Sequence, residues 1–266
     1  MGEVIVITSG KGGVGKTTTT ANLGVGLVLA KKKVVLIDAD IGLRNLDVVM
    51  GLENRIVYDL VDVVEGHCRV KQALIRDKRF ENLFLLPAAQ TRDKNAVSPE
   101  QMKKLSLELK EEYDFILVDC PAGIEQGFRN AIAGADRALI VTTPEVSAVR
   151  DADRIIGLLE AAEIKTFHLI INRLRPEMVK RGDMLDIDDI LEILAIDLIG
   201  VIPDDEKIII STNRGEQVAA NANDSPAGKA YTNIVRRLLG ETVPIMDFYQ
   251  NQSFFSRLKK FIGLGG

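Results

Sequence analysis

The sequence is poor in cysteine: Cys68 and Cys120 are its only two. Two residues cannot build a disulfide scaffold, and these are not spaced as a CxxC pair, so the cytosol is the natural compartment. No apolar stretch approaches the roughly 18 residues that span a bilayer. No basic segment with a long apolar run opens the chain, which predicts a protein neither secreted nor membrane-spanning. The start Met1-Gly2 lacks the Ser or Thr at position 6 that a myristoylation signal carries, since Val6 stands there. Internal repeats and low-complexity runs are also missing. With 46% hydrophobic and 27% charged residues, the 266-residue chain has ample material for one α/β domain. Nor is there a large excess of charge. The 34 Lys and Arg against 38 Asp and Glu leave −4, which argues against wholesale wrapping of nucleic acid or an anionic surface.

Short aliphatic and β-branched runs recur instead: Val4 to Ile7, Val34 to Ile37, Leu83 to Leu86, Phe115 to Val118, Ala138 to Thr142, Leu169 to Ile171 and Leu198 to Ile202. They are apolar on both faces, which suits strands of a parallel sheet covered by helices on each side. Helical signals fill the gaps. Ser98-Pro99-Glu100-Gln101 supplies an N-cap, a first-turn proline and a capping Gln, and Ser225-Pro226 opens a second helix in the same way. Val146 to Ala161 and Ile187 to Ile196 carry the 3.6-residue period. Alternating strand and helix predict a doubly wound, mainly parallel α/β domain over residues 1–240. A polar, irregular linker is expected over 241–252 and a separate helix over 253–266.

After the first strand comes Gly10-Lys11-Gly12-Gly13-Val14-Gly15-Lys16-Thr17-Thr18, which fits G-x-x-x-x-G-K-[ST] between a strand and a helix. Such a loop converges backbone N–H groups on phosphate oxygens, and the helix N-terminus adds partial positive charge. Lys16 is placed against the β and γ phosphates, Thr17 offers its hydroxyl to Mg²⁺, and Thr18 reaches an inner phosphate. Two further runs end in aspartate, at Asp38 and Asp119, and either fits a carboxylate that holds a metal-bound water at the strand end. Asn172 and Pro203-Asp204-Asp205 follow later strands and should open on the same edge, where an Asn amide can pair with the adenine edge. No N-K-x-D sequence occurs, which favours ATP over GTP. His67 and His168 fit no triad or metal cluster and read as structural.

The last segment departs from the mean. Phe254, Phe255, Leu258, Phe261 and Ile262 fall on one helical face and Arg257, Lys259 and Lys260 elsewhere, a pattern suited to a membrane interface. Residues 253–266 hold those three cations and no acid, a local +3, so the remaining chain carries −7. Burial of five such side chains has an upper limit near ~10 kcal/mol, and ordering about ten residues costs nearly as much. One tail therefore binds weakly. Two tails held together in one assembly would gain about 10² to 10⁴ in avidity.

The loop meets in full the pattern K-G-G-x-G-K-[ST] of the deviant Walker A proteins, and this chain resembles in particular the MinD family of septum-site-determining ATPases. The resemblance runs from Val4 to Gly266 and rests on Lys11 to Thr18, Asp38-Ala39-Asp40-Ile41-Gly42-Leu43-Arg44-Asn45-Leu46-Asp47, Asp119-Cys120-Pro121-Ala122-Gly123 and the tail. It implies that Lys11 contacts the nucleotide of the opposing subunit in an ATP-dependent homodimer. It also implies that Asp119 is the Walker B residue, that Asp38 lies near the metal and that Asp40 orients the attacking water. Asn172-Arg173 resembles the family's base-binding pair. Arg44, Asn45, Arg150, Asp151 and Asp153 resemble its partner-binding surface, with a MinC-like division inhibitor and a MinE-like or other positional regulator as partners. Anionic lipid on the inner face of the cell membrane is the expected surface, and no specific nucleic acid is expected. The rival readings are a flagellar-number positioning ATPase, a ParA-like DNA-partition ATPase, and an iron-sulfur reductase in which Cys120, beside Asp119, ligates a shared cluster.

Overall fold

A computed structural model describes residues 1–93 and 95–248, so the tail expected to bind membrane lies outside the described residues. Eight strands form one sheet: β1 (Glu3–Thr8), β2 (Val34–Asp38), β3 (Ile75–Arg76), β4 (Leu83–Leu86), β5 (Phe115–Asp119), β6 (Arg137–Thr142), β7 (Phe167–Leu174) and β8 (Leu198–Pro203), in the order β3-β4-β2-β5-β1-β6-β7-β8. Every pairing is parallel except β3 with β4. All the strands expected from aliphatic runs are present. β3 was not anticipated, because two residues are too short to show any period.

The helices are α1 (Lys16–Leu29), α2 (Leu46–Met50), α3 (Leu60–Val64), α4 (Val70–Ala73), α5 (Pro99–Lys110), α6 (Gln126–Ile132), α7 (Val146–Ala161), α8 (Pro176–Lys180), α9 (Ile187–Leu194), α10 (Glu206–Thr212) and α11 (Pro226–Leu238). At α5 the expected capping box forms: Ser98 Oγ accepts from the Gln101 amide at 3.2 Å, and Gln101 Oε1 accepts from the Ser98 amide at 2.8 Å. Helix α9 stops at Leu194, short of the expected Ile196, because Ala195 turns left-handed at φ 50°.

Both sheet faces are buried, as the unbroken apolar runs require. Along β1, Val4 and Val6 pack with Met102 and Leu105 of α5, Phe128 of α6 and Val149 of α7, while Ile5 and Ile7 pack with Leu23 and Leu27 of α1 and Tyr231 of α11. Each such side chain contributes about 2–3 kcal/mol relative to exposure. Strand β1 lies centrally between β5 and β6, where the order of the sheet reverses, so the loop leaving it opens into the crevice at the strands' C-terminal ends.

The expected linker 241–252 needs correction in its described part. Residues 241–248 form no helix or strand, yet they are held down. The Arg237 guanidinium donates to the carbonyls of Ile199 at 2.8 Å, Val243 at 2.8 Å and Pro244 at 2.6 Å. Arg236 pairs with Glu241 at 2.7 Å, and Ile245, Met246 and Phe248 pack on the core. The packed Ile245, Met246 and Phe248, together with the half-buried fork of N–H donors on Arg237, make this piece a strap on the domain.

Candidate functional site: a phosphate loop facing two buried carboxylates

The loop from Gly10 to Gly15 joins β1 to α1. Gly15 caps α1 at φ 101°, and a Cβ built there would lie 2.3 Å from Asn172 Nδ2, so backbone conformation and close packing both demand glycine. Asn172 is 3% exposed at the end of β7. Its Nδ2 donates to the Val14 carbonyl at 2.7 Å and its Oδ1 accepts from the Arg173 amide at 2.9 Å. Arg173 itself is held at φ 57°. The residue expected to read a base therefore also supports the phosphate loop.

Lys16 is buried, and its Nζ donates to Ser9 Oγ at 2.9 Å, while Ser9 Oγ donates to the Lys11 carbonyl at 2.7 Å. Strand register pairs Asp38 with Asp119 on adjacent β2 and β5, directly below. Thr17 and Thr20 donate hydroxyls to Asp119, Thr20 at 3.3 Å, and Thr20 also donates to the Lys16 carbonyl at 3.0 Å. Thr18 uses its carbonyl to accept from Asn22 Nδ2 at 2.9 Å. Asp38 Oδ1 accepts from the Asp40 amide at 3.0 Å, and its Oδ2 accepts from the amides of Asn45 at 3.1 Å and Leu46 at 3.0 Å. Burial pushes Asp119 up to about 7, with the Asp38 charge adding and Thr17 and Lys16 opposing; burial pushes Asp38 up to about 6 against those three amide bonds. Two desolvated carboxylates and a threonine hydroxyl are hard oxygen donors, the set that suits Mg²⁺.

Lys11 points the other way. Its Nζ lies 3.1 Å from Glu145 Oε2 and 3.2 Å from Ser147 Oγ at the start of α7, in an exposed pair worth roughly 0–1 kcal/mol. On the same helix Arg150 and Asp153 are exposed, and Asp151 meets Arg154 at 3.5 Å. Arg44, at φ 44°, pairs at 3.0 Å with Asp47, whose side chain is fully buried. Pro203 is buried at the end of β8. Beside it Asp205 caps α10: its Oδ1 accepts from the Lys207 amide at 2.9 Å and its Oδ2 from Ser225 Oγ at 2.6 Å and the Ala227 amide at 3.2 Å. Burial would raise Asp205, but those bonds outweigh it and hold the carboxyl below its usual range.

Sequence reasoning did not single out Ser9, Thr20, Glu145 or Ser147 as site residues. Thr20, one helical turn after Lys16, could have been read from spacing. Ser9, Glu145 and Ser147 could not, because their roles depend on what the fold brings near. Cys120 is 2% exposed and burial pushes its thiol up to about 12, the opposite of the thiolate that a cluster ligand supplies. His67, on exposed acids at 3.5 Å, and His168, held low first by burial and then by Arg137, both lie away from the loop.

The model of the CobQ/CobB/MinD/ParA nucleotide binding domain matches residues 5–218. The septum site-determining protein MinD of Bacillus subtilis (strain 168) is 59% identical over 267 residues, covering 99% of each chain. This chain belongs to the MinD family. Among solved structures it is similar to the MinC:MinD cell division protein complex of Aquifex aeolicus, with a TM-score of 0.86 and 53% identity over 92% of this chain and 99% of that one. It is also similar to the MinD complexed with Mg-ADP from Pyrococcus horikoshii, with a TM-score of 0.81 and 30% identity over 90% and 96%. The fold is that of the MinD and ParA P-loop proteins, and the nucleotide loop of the MinD family is complete in this chain. Among the described residues no helix is long and apolar enough to cross a membrane.

Proposed function

We propose that this protein is an ATP-driven, membrane-binding switch in division-site placement. The observation that carries the reading is the two-lysine phosphate loop set over the buried Asp38 and Asp119 pair. The loop amides and Lys16 bind the phosphates of ATP, and Thr17, Asp38 and Asp119 are the residues that would hold Mg²⁺. Asn172, Pro203 and Asp205 line the side where the base lies. Asp40 orients water for attack on the γ-phosphorus, forming the new P–O bond as ADP leaves with the old one. Lys16 and Lys11 offset the charge that develops, and a bound Mg²⁺ would add its own positive charge there.

Lys11 leaves Glu145 and Ser147 to reach the nucleotide of a second copy, so that the dimer forms with ATP. Its weak surface pair makes that exchange inexpensive. Dimerisation presents two tails to anionic lipid through Phe254, Phe255, Leu258, Phe261 and Ile262 with Arg257, Lys259 and Lys260. The α7 face bearing Arg150, Asp151 and Asp153, with Arg44 and Asn45, receives a MinC-like inhibitor, in keeping with the Aquifex complex. A MinE-like or other positional regulator speeds the hydrolysis that releases the dimer.

The test is co-sedimentation with anionic vesicles in ATP or ADP, comparing the full chain, a chain ending at Gln252 and Phe261→Glu. Binding is expected only for the full chain with ATP, and binding that survives the truncation would sink the tail's role. Retention of the truncated chain on DNA in a salt-dependent manner would instead favour the partition reading.

A further inference from the structure

Helix α2 has five residues, too few to stand without external support. Its support at the N-terminal end is the site itself, since Asp38 accepts from the amides of Asn45 and Leu46. At its C-terminal end the support comes from residues that the mechanism does not use. Arg79 Nη2 donates to the Met50 carbonyl at 3.1 Å, and Gln217 Nε2 donates to the Val49 carbonyl at 2.9 Å.

The same guanidinium donates to the Gly215 carbonyl at 2.6 Å, to Gln217 Oε1 at 3.3 Å and to the buried Asp77 at 2.8 and 3.2 Å. Gly51, which ends α2 at φ 66°, packs so closely that a Cβ on Gly215 would lie 2.7 Å from its Cα. Two residues beyond Gln217, the Ala219 amide donates to Asn22 Oδ1 at 3.0 Å, and Asn22 Nδ2 bonds the Thr18 carbonyl in the first turn of α1. Segment 215–219 thus ties the C-terminal end of α2 to Asn22 in the middle of α1. Helix α2 meets Asp38 at its opposite, N-terminal end.

We infer that Arg79 and Gln217 are positioning residues for ATP hydrolysis, bracing α2 so that Asp38 and Asp40 keep their place over the phosphate loop. The inference rests on the ATPase reading above. The Arg79 and Gln217 side chains bond the carbonyls of Met50 and Val49 and neither the phosphate loop nor Lys16, so loosening them disturbs the attacking water's alignment and leaves affinity intact. A displacement of about 1 Å at that water is enough to slow the chemical step by up to about a hundredfold.

Arg79→Ala leaves Asp77 buried without its cation and risks unfolding. The test therefore uses Arg79→Lys, which keeps the charge and loses the fork, and Gln217→Met, which keeps the volume and loses the donor. For the full chain the measurements are kcat, KM for ATP, affinity for ADP, and hydrogen exchange of amides 45–51 with and without Mg-ADP. Expected in both variants are a kcat lowered at least about tenfold, unchanged KM and ADP affinity, and faster exchange in α2. Unchanged kcat despite faster exchange, or kcat and ADP affinity falling together, would overturn the inference. Should the wild type not hydrolyse ATP at all, the ATPase reading fails. The brace is then judged by exchange alone: it stands if Mg-ADP protects amides 45–51 in the wild type and not in the variants, and falls if all three behave alike.

Discussion

The two ends of the sheet handle charge in opposite ways. At the N-terminal ends of the strands, charges are matched: Lys110 meets Asp136 at 2.7 Å, Arg137 meets Glu3 at 2.9 Å, and Asp136 also accepts from the Val4 amide at 2.8 Å. At the C-terminal ends, Asp38 and Asp119 stand side by side with buried Lys16, and burial raises both carboxyls. The first end pairs its carboxylates with cations of the same chain, although burial raises the Glu3 carboxyl there too. The other is costly until phosphates and a cation arrive, the usual trade of stability for preorganised binding.

The largest break in this comparison is Lys16→Ala. Removing the charge-assisted contact should weaken ATP binding by about a hundredfold, measured with a fluorescent nucleotide; retention of full affinity would remove the phosphate-loop reading. Asp119→Asn sharpens it through pH. A carboxyl raised in the fold contributes stability that is present below its unfolded value of 3.8 and is lost as pH rises through about 7. Without nucleotide, the wild type should therefore lose stability between pH 5 and pH 8 more steeply than the variant. At pH 8 the variant should melt roughly 4 °C higher, about 1–2 kcal/mol, while its hydrolysis is lost. A calorimetric difference of opposite sign would refute the strained-carboxylate account.

Arg237→Ala, at the charge-matched end, should cost about 1–2 kcal/mol by leaving three carbonyls without their donor. It should expose amides 241–248 to exchange while ADP affinity stays unchanged; an unaltered exchange pattern would show that the strap is held by its apolar residues alone. The smallest change is expected of Lys11→Ala in the monomer. Folding stability should move by about 0.5 kcal/mol or less, whereas ATP-dependent dimerisation, read by light scattering, should disappear. A dimer that persists would remove Lys11 from the interface.

Much of the fold could be read from local pattern. Buried parallel strands must be apolar on both faces, so β1, β2 and β4 to β8 stood out, and the Ser98 and Ser225 caps marked two helices. The pair Ile75–Arg76 did not stand out, because a two-residue strand exists only through its neighbour Leu83–Leu86. The strap was also hidden: 241–248 is irregular in pattern, and its attachment depends on Arg237 and on the start of β8, which composition does not link.

For the site, the phosphate loop was legible because its chemistry lies in consecutive residues, where chain geometry alone brings glycine amides, a lysine and a hydroxyl together. The two aspartates were each visible at a strand end, but residues 38 and 119 could not be ranked by pattern. Their adjacency is a matter of register between β2 and β5.

The sequence by itself therefore determined the parallel α/β class, the phosphate loop and the basic apolar tail, all properties of contiguous residues. Tertiary structure alone decided that Asp38 neighbours Asp119 and caps α2, that Lys11 is held by Glu145 and Ser147, and that Arg79 and Gln217 brace α2 from behind. The reason is separation along the chain. Contacts across tens to hundreds of residues follow from strand order and close packing, which no local window of residues encodes.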